Sequence, residues 1–235
     1  MIFKKNPIIL FAFVLCLCCL AVVATAVPIS EIPANAKHSQ RQKIIVDAGH
    51  GGFDGGAVAD DGTIEKNINL EISNVLCSIL RFNGYEVITT RTTDVGTDTN
   101  SDSSIRDRKK NDLRNRLKLM ENNPDAIYVS IHLNKYTTSA PCGAQVFFSK
   151  NFNESIALAE HIQSSIKERL QPENTRLIKC AGSGTYLLYN AKVPAVIVEC
   201  GFLSNTKELT NLKDKTYQNK MAFSIACGIF DFLAK

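Results

Sequence analysis

The chain has 235 residues, of which 45% are hydrophobic and 21% charged, and its formal net charge is +4. This length predicts one domain, large enough to bury ~70% of its unfolded surface. A charge so close to balance argues neither for nucleic acid nor for any other strongly charged partner.

The N-terminal segment has the pattern of an export signal. Lys4 and Lys5 precede an apolar run over residues 8–27, and Ala24–Ala26 is a small-x-small cleavage site. A basic region, an apolar region and an A-x-A site together predict a signal peptide over residues 1–26. The alternative is an uncleaved membrane anchor, because an apolar run of this length can span a bilayer. Both interpretations export the rest of the chain.

Residues 27–42 are predicted to form a linker, and residues 43–235 the catalytic domain. The predicted elements are, in chain order, a strand at Lys43–Asp47, a helix at Glu65–Phe82, a strand at Tyr85–Thr90, a helix at Ile105–Glu121, strands at Ala126–His132 and Gly143–Ser149, a helix at Glu154–Leu170, strands at Gly184–Leu188 and Ala195–Glu199, and a helix at Ala222–Leu233. This alternation predicts an α/β sandwich with a largely parallel sheet.

Two polar segments interrupt this pattern. The stretch Thr92–Ser104 has no apolar periodicity and predicts a binding loop or a mobile loop. The stretch Arg108–Lys118 is strongly basic, with Leu113, Leu117 and Met120 at helical spacing. Its charges are therefore predicted to form the solvated face of an amphipathic helix, with no role in binding nucleic acid.

Five cysteines lie beyond the leader, at wide spacing. An odd number without a C-x-x-C pair resembles neither a disulfide framework nor a thiolate zinc site. A bridge between Cys142 and Cys180 is the alternative, because both lie in loop-like sequence.

Polar residues stand where three apolar strands end. His50 follows the first strand within a glycine-rich loop, His132 ends the third strand, and Glu199 ends the last. Glu65 opens the first helix. If the strands are parallel neighbours, these side chains converge on the sheet edge where α/β proteins bind ligands. A glutamate ending a buried strand is costly unless it is paired or functional.

Two imidazoles and one carboxylate suit zinc, and an open fourth position makes such a site catalytic. Glu199 is then the general base that takes a proton from water. Asp47 and Asp54 are predicted to orient the histidines. The pattern alone leaves three alternatives open: an ordinary loop histidine, a glycine-rich loop that serves backbone geometry or phosphate, and Cys200 as a nucleophile.

The chain resembles a known family, the zinc-dependent N-acetylmuramoyl-L-alanine amidases of bacterial cell walls. The motifs that carry the resemblance are Ile45–Gly52, Glu65, Thr90–Asp94, Ser130–Asn134 and Val198–Asn205. The resemblance covers about Lys43 to Lys235. It implies zinc on His50, Glu65 and His132, with Glu199 catalytic. It also implies a twisted sheet of about six strands flanked by helices.

Within that family the chain is most similar to the sporulation amidases that act on spore cortex. Leu133, Gly143–Phe148 and Glu173–Arg176 carry this finer resemblance. It implies hydrolysis of the amide between N-acetylmuramic acid and L-alanine in peptidoglycan, as a step toward the muramic-δ-lactam needed for germination. The implied location is the cell wall or membrane around the forespore. The alternatives are a zinc peptidase acting within the stem peptide and a catalytically weak wall-binding or scaffold protein.

Further expectations follow from the same motifs. We assign Arg91 and Asn134 to substrate binding, with ordering of the long loop as the alternative for Arg91. Lys135 replaces a small residue of the family pattern, which predicts an ammonium beside His132 that weakens metal binding or contacts substrate. Because no wall-binding repeat is present, we expect tethering through residues 8–27 or an exported protein activator.

Overall fold

The computed structural model describes residues 41–98 and 103–234. The strands are β1 (Lys43–Ala48), β2 (Glu86–Thr89), β3 (Ala126–Asn134), β4 (Gln145–Phe148), β5 (Lys179–Cys180) and β6 (Ala195–Phe202). The helices are α1 (Glu65–Phe82), α2 (Ile105–Glu121), α3 (Glu154–Arg169), α4 (Tyr186–Tyr189), α5 (Thr206–Lys213) and α6 (Lys215–Leu233). The predicted signal peptide or anchor lies outside the described residues. Among the residues described, no helix combines the length and apolar content needed to span a bilayer.

The described strands form one six-stranded sheet in the order β2-β1-β3-β6-β4-β5. All neighbouring pairs are parallel except β4 and β6, which are antiparallel. The predicted α/β sandwich with a mostly parallel sheet is confirmed. Asp47 of β1 lies opposite Ser130 of β3, and His132 of β3 lies opposite Glu199 of β6. The register therefore places the polar strand ends in two successive rows on the same face of the sheet, two residues apart along β3.

The two faces of the sheet are covered unequally. The larger apolar cluster packs α1, α3 and α6 against one face and includes Ile131 and Val198. The smaller cluster lies on the other face, beneath α2 and α4, and includes Tyr128 and Ile197. Because side chains alternate along a strand, His132 and Glu199 project toward the face of α2 and α4.

Four elements differ from the sequence prediction. The segment predicted as a strand at Gly184–Leu188 contains α4, because a short apolar run does not distinguish a strand from one helical turn. β5 is an edge strand of two residues, too short for a periodic signal. Helix α5 is absent from the sequence prediction, and α6 begins at Lys215 rather than at Ala222. Each helix follows an N-cap residue, Asn205 or Asp214, whose side chain accepts from a backbone N–H group. Such caps, rather than apolar spacing, set where these helices start.

Candidate active site

The structure brings together the three residues predicted to bind metal. His50 follows β1, Glu65 begins α1 and His132 lies near the end of β3. Glu65 Oε1 lies 3.3 Å from His50 Nε2 and 3.0 Å from His132 Nδ1. One ligand atom from each residue lies within 4.8 Å of the others. The imidazoles meet edge to face, with ring centroids 4.9 Å apart.

Two glycines provide the space in which these side chains meet. A Cβ atom added at Gly49 would lie 2.4 Å from the His132 ring. One added at Gly56 would lie 2.5 Å from Glu65 Oε2 and 2.6 Å from the His50 ring. His50 itself has a φ of 61°, a left-handed conformation that is uncommon outside glycine. The glycine-rich loop therefore serves backbone geometry and close approach.

Glu65 is held as a buried carboxylate. Its oxygens accept hydrogen bonds from the backbone N–H groups of Ala57 at 2.8 Å and Leu133 at 3.0 Å, and from Asn69 Nδ2 at 3.2 Å. Burial raises the pKa of Glu65, but its hydrogen bonds and charge interactions with the two histidines outweigh burial and hold the pKa well below its usual range. The group is ionised at neutral pH, as a cation ligand must be.

Asp54 fixes the orientation of His50, as predicted. Its Oδ2 lies 2.9 Å from His50 Nδ1, and its Oδ1 lies 2.8 Å from Lys109 Nζ. In the neutral imidazole, an Nδ1–H donated to Asp54 leaves Nε2 with its lone pair toward Glu65 and His132. Burial lowers the pKa of His50, but hydrogen bonds with Asp54 and Glu65 raise it to about 9. The pocket thus stabilises positive charge between these three residues.

Glu199 is the unpaired acid of the site. Its Oε2 is shielded from solvent and has no hydrogen-bond partner among the described residues. Burial raises the pKa of Glu199, as does the charge of Glu65, and the two histidines oppose this. A buried carboxyl oxygen without a partner costs roughly 1–3 kcal/mol. The unpaired oxygen therefore does not stabilise the fold, which makes Glu199, opposite His132, a candidate for chemistry.

Arg91 and Asn134 occupy different environments. Arg91 is 4% exposed. Its guanidinium donates to the backbone carbonyls of Ala48, Gly49 and Lys66 at 2.9, 3.1 and 2.8 Å. These contacts hold the chain after β1 and the start of α1. A further bond from Nη1 to the Thr93 carbonyl at 3.2 Å reaches the long loop and supports the ordering role over substrate binding. Asn134 is half-buried at the end of β3. Its assignment to substrate binding stays a prediction.

Asp47 was expected to orient a histidine, and the structure corrects this. It is buried and accepts hydrogen bonds from Tyr128 Oη at 2.6 Å and Ser130 Oγ at 2.5 Å. It also forms an ion pair with Arg116. Asp47 therefore belongs to a separate polar cluster beside the histidines.

Arg116 was expected on a solvated helix face, and that expectation is wrong. The residue is 2% exposed. It bonds to Asp47 and Asp112 and donates to the His50 carbonyl at 2.8 Å. Its position three residues after Leu113 and four before Met120 places it on the inward face of α2. That spacing is the signal that could have identified it.

The remaining unusual residues have ordinary environments. Lys135 Nζ donates to the Val58 carbonyl at 2.7 Å and lies 3.0 Å from Asp60 Oδ1. Cys200 is fully buried, and burial raises the pKa of its thiol well above the usual value. This is the environment of a packed thiol and not of a nucleophile. Cys142 and Cys180 are free cysteines and form no disulfide with each other.

Comparison with known proteins gives consistent matches. A family model described as N-acetylmuramoyl-L-alanine amidase matches residues 44–231. The germination-specific N-acetylmuramoyl-L-alanine amidase of Bacillus subtilis is 36% identical over 192 residues, covering 82% of this chain and 80% of that protein. The CwlD amidase of Clostridioides difficile, solved in complex with the GerS lipoprotein, is 39% identical with a TM-score of 0.79, covering 83% and 99% of the two chains. The catalytic domain of CwlV from Paenibacillus polymyxa is 31% identical with a TM-score of 0.67, covering 82% and 98%.

Proposed function

Because the chain belongs to the N-acetylmuramoyl-L-alanine amidase family and is a peptidoglycan amidase, we propose that it uses zinc to cut the bond between N-acetylmuramic acid and L-alanine in spore cortex. The observation that carries the proposal is the convergence of His50, Glu65 and His132 within 4.8 Å. The unpaired Glu199 carboxyl lies in register with His132.

The donor set fits zinc. His50 Nε2, Glu65 Oε1 and His132 Nδ1 would hold the ion, and two imidazoles with one carboxylate leave a position open for water and substrate. Zinc bound there lowers the pKa of water and polarises the scissile carbonyl. Asp54 keeps His50 in the tautomer that offers Nε2, and Glu65 is kept ionised by its hydrogen bonds.

Glu199 acts as the general base and then as the general acid. Because no residue of the described chain engages its Oε2, the Glu199 carboxylate is available to accept a proton from the attacking water. The same carboxyl group then delivers that proton to the nitrogen of L-alanine as the amide bond breaks. The Arg116 guanidinium donates to the backbone carbonyl of His50, which fixes the glycine-rich loop at this residue during the reaction.

Mass spectrometry of digested peptidoglycan tests the bond that is cut. Free stem peptides that begin with L-alanine are the expected product. Fragments cut inside the stem peptide would establish a zinc peptidase instead. Elemental analysis should find one zinc per chain, and a chelator should stop peptide release. Binding to the wall without metal-dependent release would establish a wall-binding or scaffold protein.

Two relatives support the finer proposal. The Bacillus subtilis relative is a germination-specific amidase, and the CwlD amidase was solved with a lipoprotein partner. We extend this to cortex modification, to export into the space around the forespore, and to an exported protein activator. Membrane attachment through residues 8–27 is the other route to the substrate.

Two measurements test these extensions. Spores that lack this chain should contain no muramic-δ-lactam in their cortex, and a normal amount would overturn the cortex role. A purified domain that bound zinc and cleaved wall material at full rate alone would remove the need for an activator. Cleavage after Ala26, determined by N-terminal sequencing of the exported protein, would separate signal peptide from anchor.

A further inference from the structure

The long loop after β2 lies on the glycine-rich loop over residues 92–98, the part that the structure describes. A Cβ atom added at Gly51 would lie 2.3 Å from the Val95 carbonyl oxygen, and one added at Gly52 would lie 2.8 Å from Gly96 N. The two backbones therefore touch where glycine stands, and a side chain at either position would separate them. The long loop covers the segment that follows the first of the three predicted metal ligands.

Lys66 and Asp94 bind both backbone polar groups of Gly52. Asp94 Oδ1 accepts from the Gly52 N–H at 2.9 Å, and Lys66 Nζ donates to the Gly52 carbonyl at 2.7 Å. An ion pair closes this ring of contacts, with Lys66 Nζ 2.7 Å from Asp94 Oδ2. The Lys66 side chain is 14% exposed, so solvent screens the pair less than it screens a surface salt bridge. We call these contacts the Gly52 clamp.

The Gly52 clamp connects the segments that carry two of the predicted metal ligands. Lys66 directly follows Glu65 at the start of α1, and Gly52 lies two residues after His50. His50 has a φ of 61°, and a residue other than glycine keeps such a conformation only where its surroundings impose it. Arg116 constrains the His50 carbonyl at 2.8 Å. The clamp constrains the chain on the far side of Gly51.

From these contacts we propose that Lys66 and Asp94 are positioning residues, which hold His50 beside Glu65 and thereby raise the affinity of the site for zinc. The proposal rests on the zinc site of the proposed function. The apparent affinity of a site falls in proportion to the population of the arrangement that binds. Loss of the clamp would allow the segment after His50 to leave that arrangement in the metal-free protein.

The zinc affinities of single variants, measured by competition with a chelator, test the proposal. Lys66→Met and Asp94→Ala should each weaken zinc binding about tenfold or more, which is the usual effect of losing a residue that supports a metal ligand. The double variant should bind zinc about as weakly as the weaker single variant, because the two residues act as one unit. Asp94→Asn keeps an oxygen for the Gly52 N–H and should lose less, so it tests the clamp with the smallest disturbance of the fold.

The direction of the change separates positioning from a simple effect of charge. Zinc is a cation, so through charge alone Lys66→Met would strengthen zinc binding and Asp94→Ala would weaken it. The clamp predicts that both variants weaken it. Opposite changes in the two variants would therefore overturn the proposal.

The dependence of activity on zinc separates metal binding from damage to the fold. In Lys66→Met and Asp94→Ala, saturating zinc should restore kcat to within about threefold of the wild type, because zinc repopulates the binding arrangement. A kcat that stayed tenfold low at saturating zinc would show that the clamp acts on another step. A lower free energy of unfolding with unchanged zinc affinity would show that it only stabilises the fold. Either result overturns the proposal.

Lys213→Met and Asp61→Ala are the matched controls. Lys213 Nζ lies 2.7 Å from Asp61 Oδ2, the same separation as in the clamp, and Asp61 also accepts from the Thr63 N–H. This pair connects α5 to the loop before α1 and does not bind the backbone of Gly52. Neither control should change zinc affinity by more than about twofold. A loss in the controls equal to that in the clamp variants would overturn the proposal.

The zinc measurements are independent of the bond that the protein cuts. If the wild type bound zinc but released no peptide that begins with L-alanine, the bond assignment would fail, and the zinc affinities would still decide the role of the clamp. If the wild type released such peptides and the clamp variants bound zinc as tightly as it does, the clamp alone would fail. A wild type that bound no zinc would overturn both proposals.

Discussion

Two buried carboxyl groups on the same face of the sheet illustrate how partners decide the role of an acid. Asp47 lies opposite Ser130, and Glu199 lies opposite His132. Burial raises the pKa of both groups. In Asp47 the charge of Arg116 and hydrogen bonds outweigh burial and hold the pKa well below its usual range. In Glu199 one oxygen has no partner in the described chain, and burial prevails. Asp47, whose two oxygens have partners, stabilises the fold, and Glu199, with one oxygen that has no partner in the described chain, is available for chemistry.

The largest effect that tests this comparison is the loss of activity in Glu199→Gln. Removal of a general base lowers kcat by about 10²–10⁴-fold. Zinc content should be unchanged, and the free energy of unfolding should be equal to or higher than that of the wild type, because an amide is less costly to bury than a carboxylate. Steady-state kinetics and elemental analysis measure both. A kcat within tenfold of the wild type would show that Glu199 is not the base.

A loss of stability, in contrast to Glu199→Gln, is expected for Arg116→Met. This change leaves Asp47 and Asp112 as buried charges without their cation, which costs about 3–5 kcal/mol. Denaturant unfolding measures the loss. Arg114→Met is the matched control, since Arg114 is exposed on the same helix and its replacement should cost no more than about 0.5 kcal/mol. Equal costs for the two variants would contradict a structural role for the buried cluster.

Acid titration tests the Asp47 side of the comparison. A carboxyl group whose folded pKa is depressed contributes stability above its unfolded pKa, ~3.9, and that stability is lost as the pH falls below this value. Asp47→Asn should therefore cost about 1.5–3 kcal/mol at pH 7. The difference between the wild type and this variant should shrink between about pH 5 and pH 3. A difference that stayed constant over this range would show that the pKa of Asp47 is not lowered by folding.

Sequence reasoning located the site because its residues stand at the ends of strongly apolar strands. His50, His132 and Glu199 each follow a run whose length and apolar character fix a buried strand, and parallel pairing then brings the ends together. The position of Glu65 follows from the apolar spacing of α1. Only contacts in the folded structure, which periodicity does not encode, show that Asp54 rather than Asp47 holds a histidine: Asp54 lies four residues from His50, and the partners of Asp47 lie 69 to 83 residues away.

The misplaced residues have a common physical cause. A charged side chain such as Arg116 is expected at the surface, although a buried arginine is stable when carboxylates neutralise it. The α4 segment contains only two buried apolar residues, Leu187 and Leu188, which pack equally well from a helical turn or a strand. In both cases the tertiary partner, and not the local pattern, decides the outcome.

A smaller effect is expected for Asp54→Asn. Asp54 holds the Nδ1 atom of His50, and removal of such a partner typically lowers metal affinity 10–100-fold. Competition with a zinc chelator measures this change. Asp60→Asn is the matched control in the same loop, because the Asp60 side chain is 96% exposed and contacts Lys135 rather than a histidine. A zinc affinity unchanged by Asp54→Asn would show that the backbone alone orients His50.

The smallest effect is expected for Lys135→Ala, although Lys135 stands only three residues beyond His132. Its ammonium is directed to the Val58 carbonyl and to Asp60, and its side chain is 35% exposed. Solvent screens such a pair, so the change should cost no more than about 1 kcal/mol of stability. Zinc affinity and kcat should stay within about twofold of the wild type. A tenfold rise in zinc affinity would mean that the Lys135 ammonium repels the metal at His132. Its contacts with Val58 and Asp60 would then not keep the ammonium away from the metal. The idea that a group's partners decide its role would then fail for Lys135, close to the metal ligand His132.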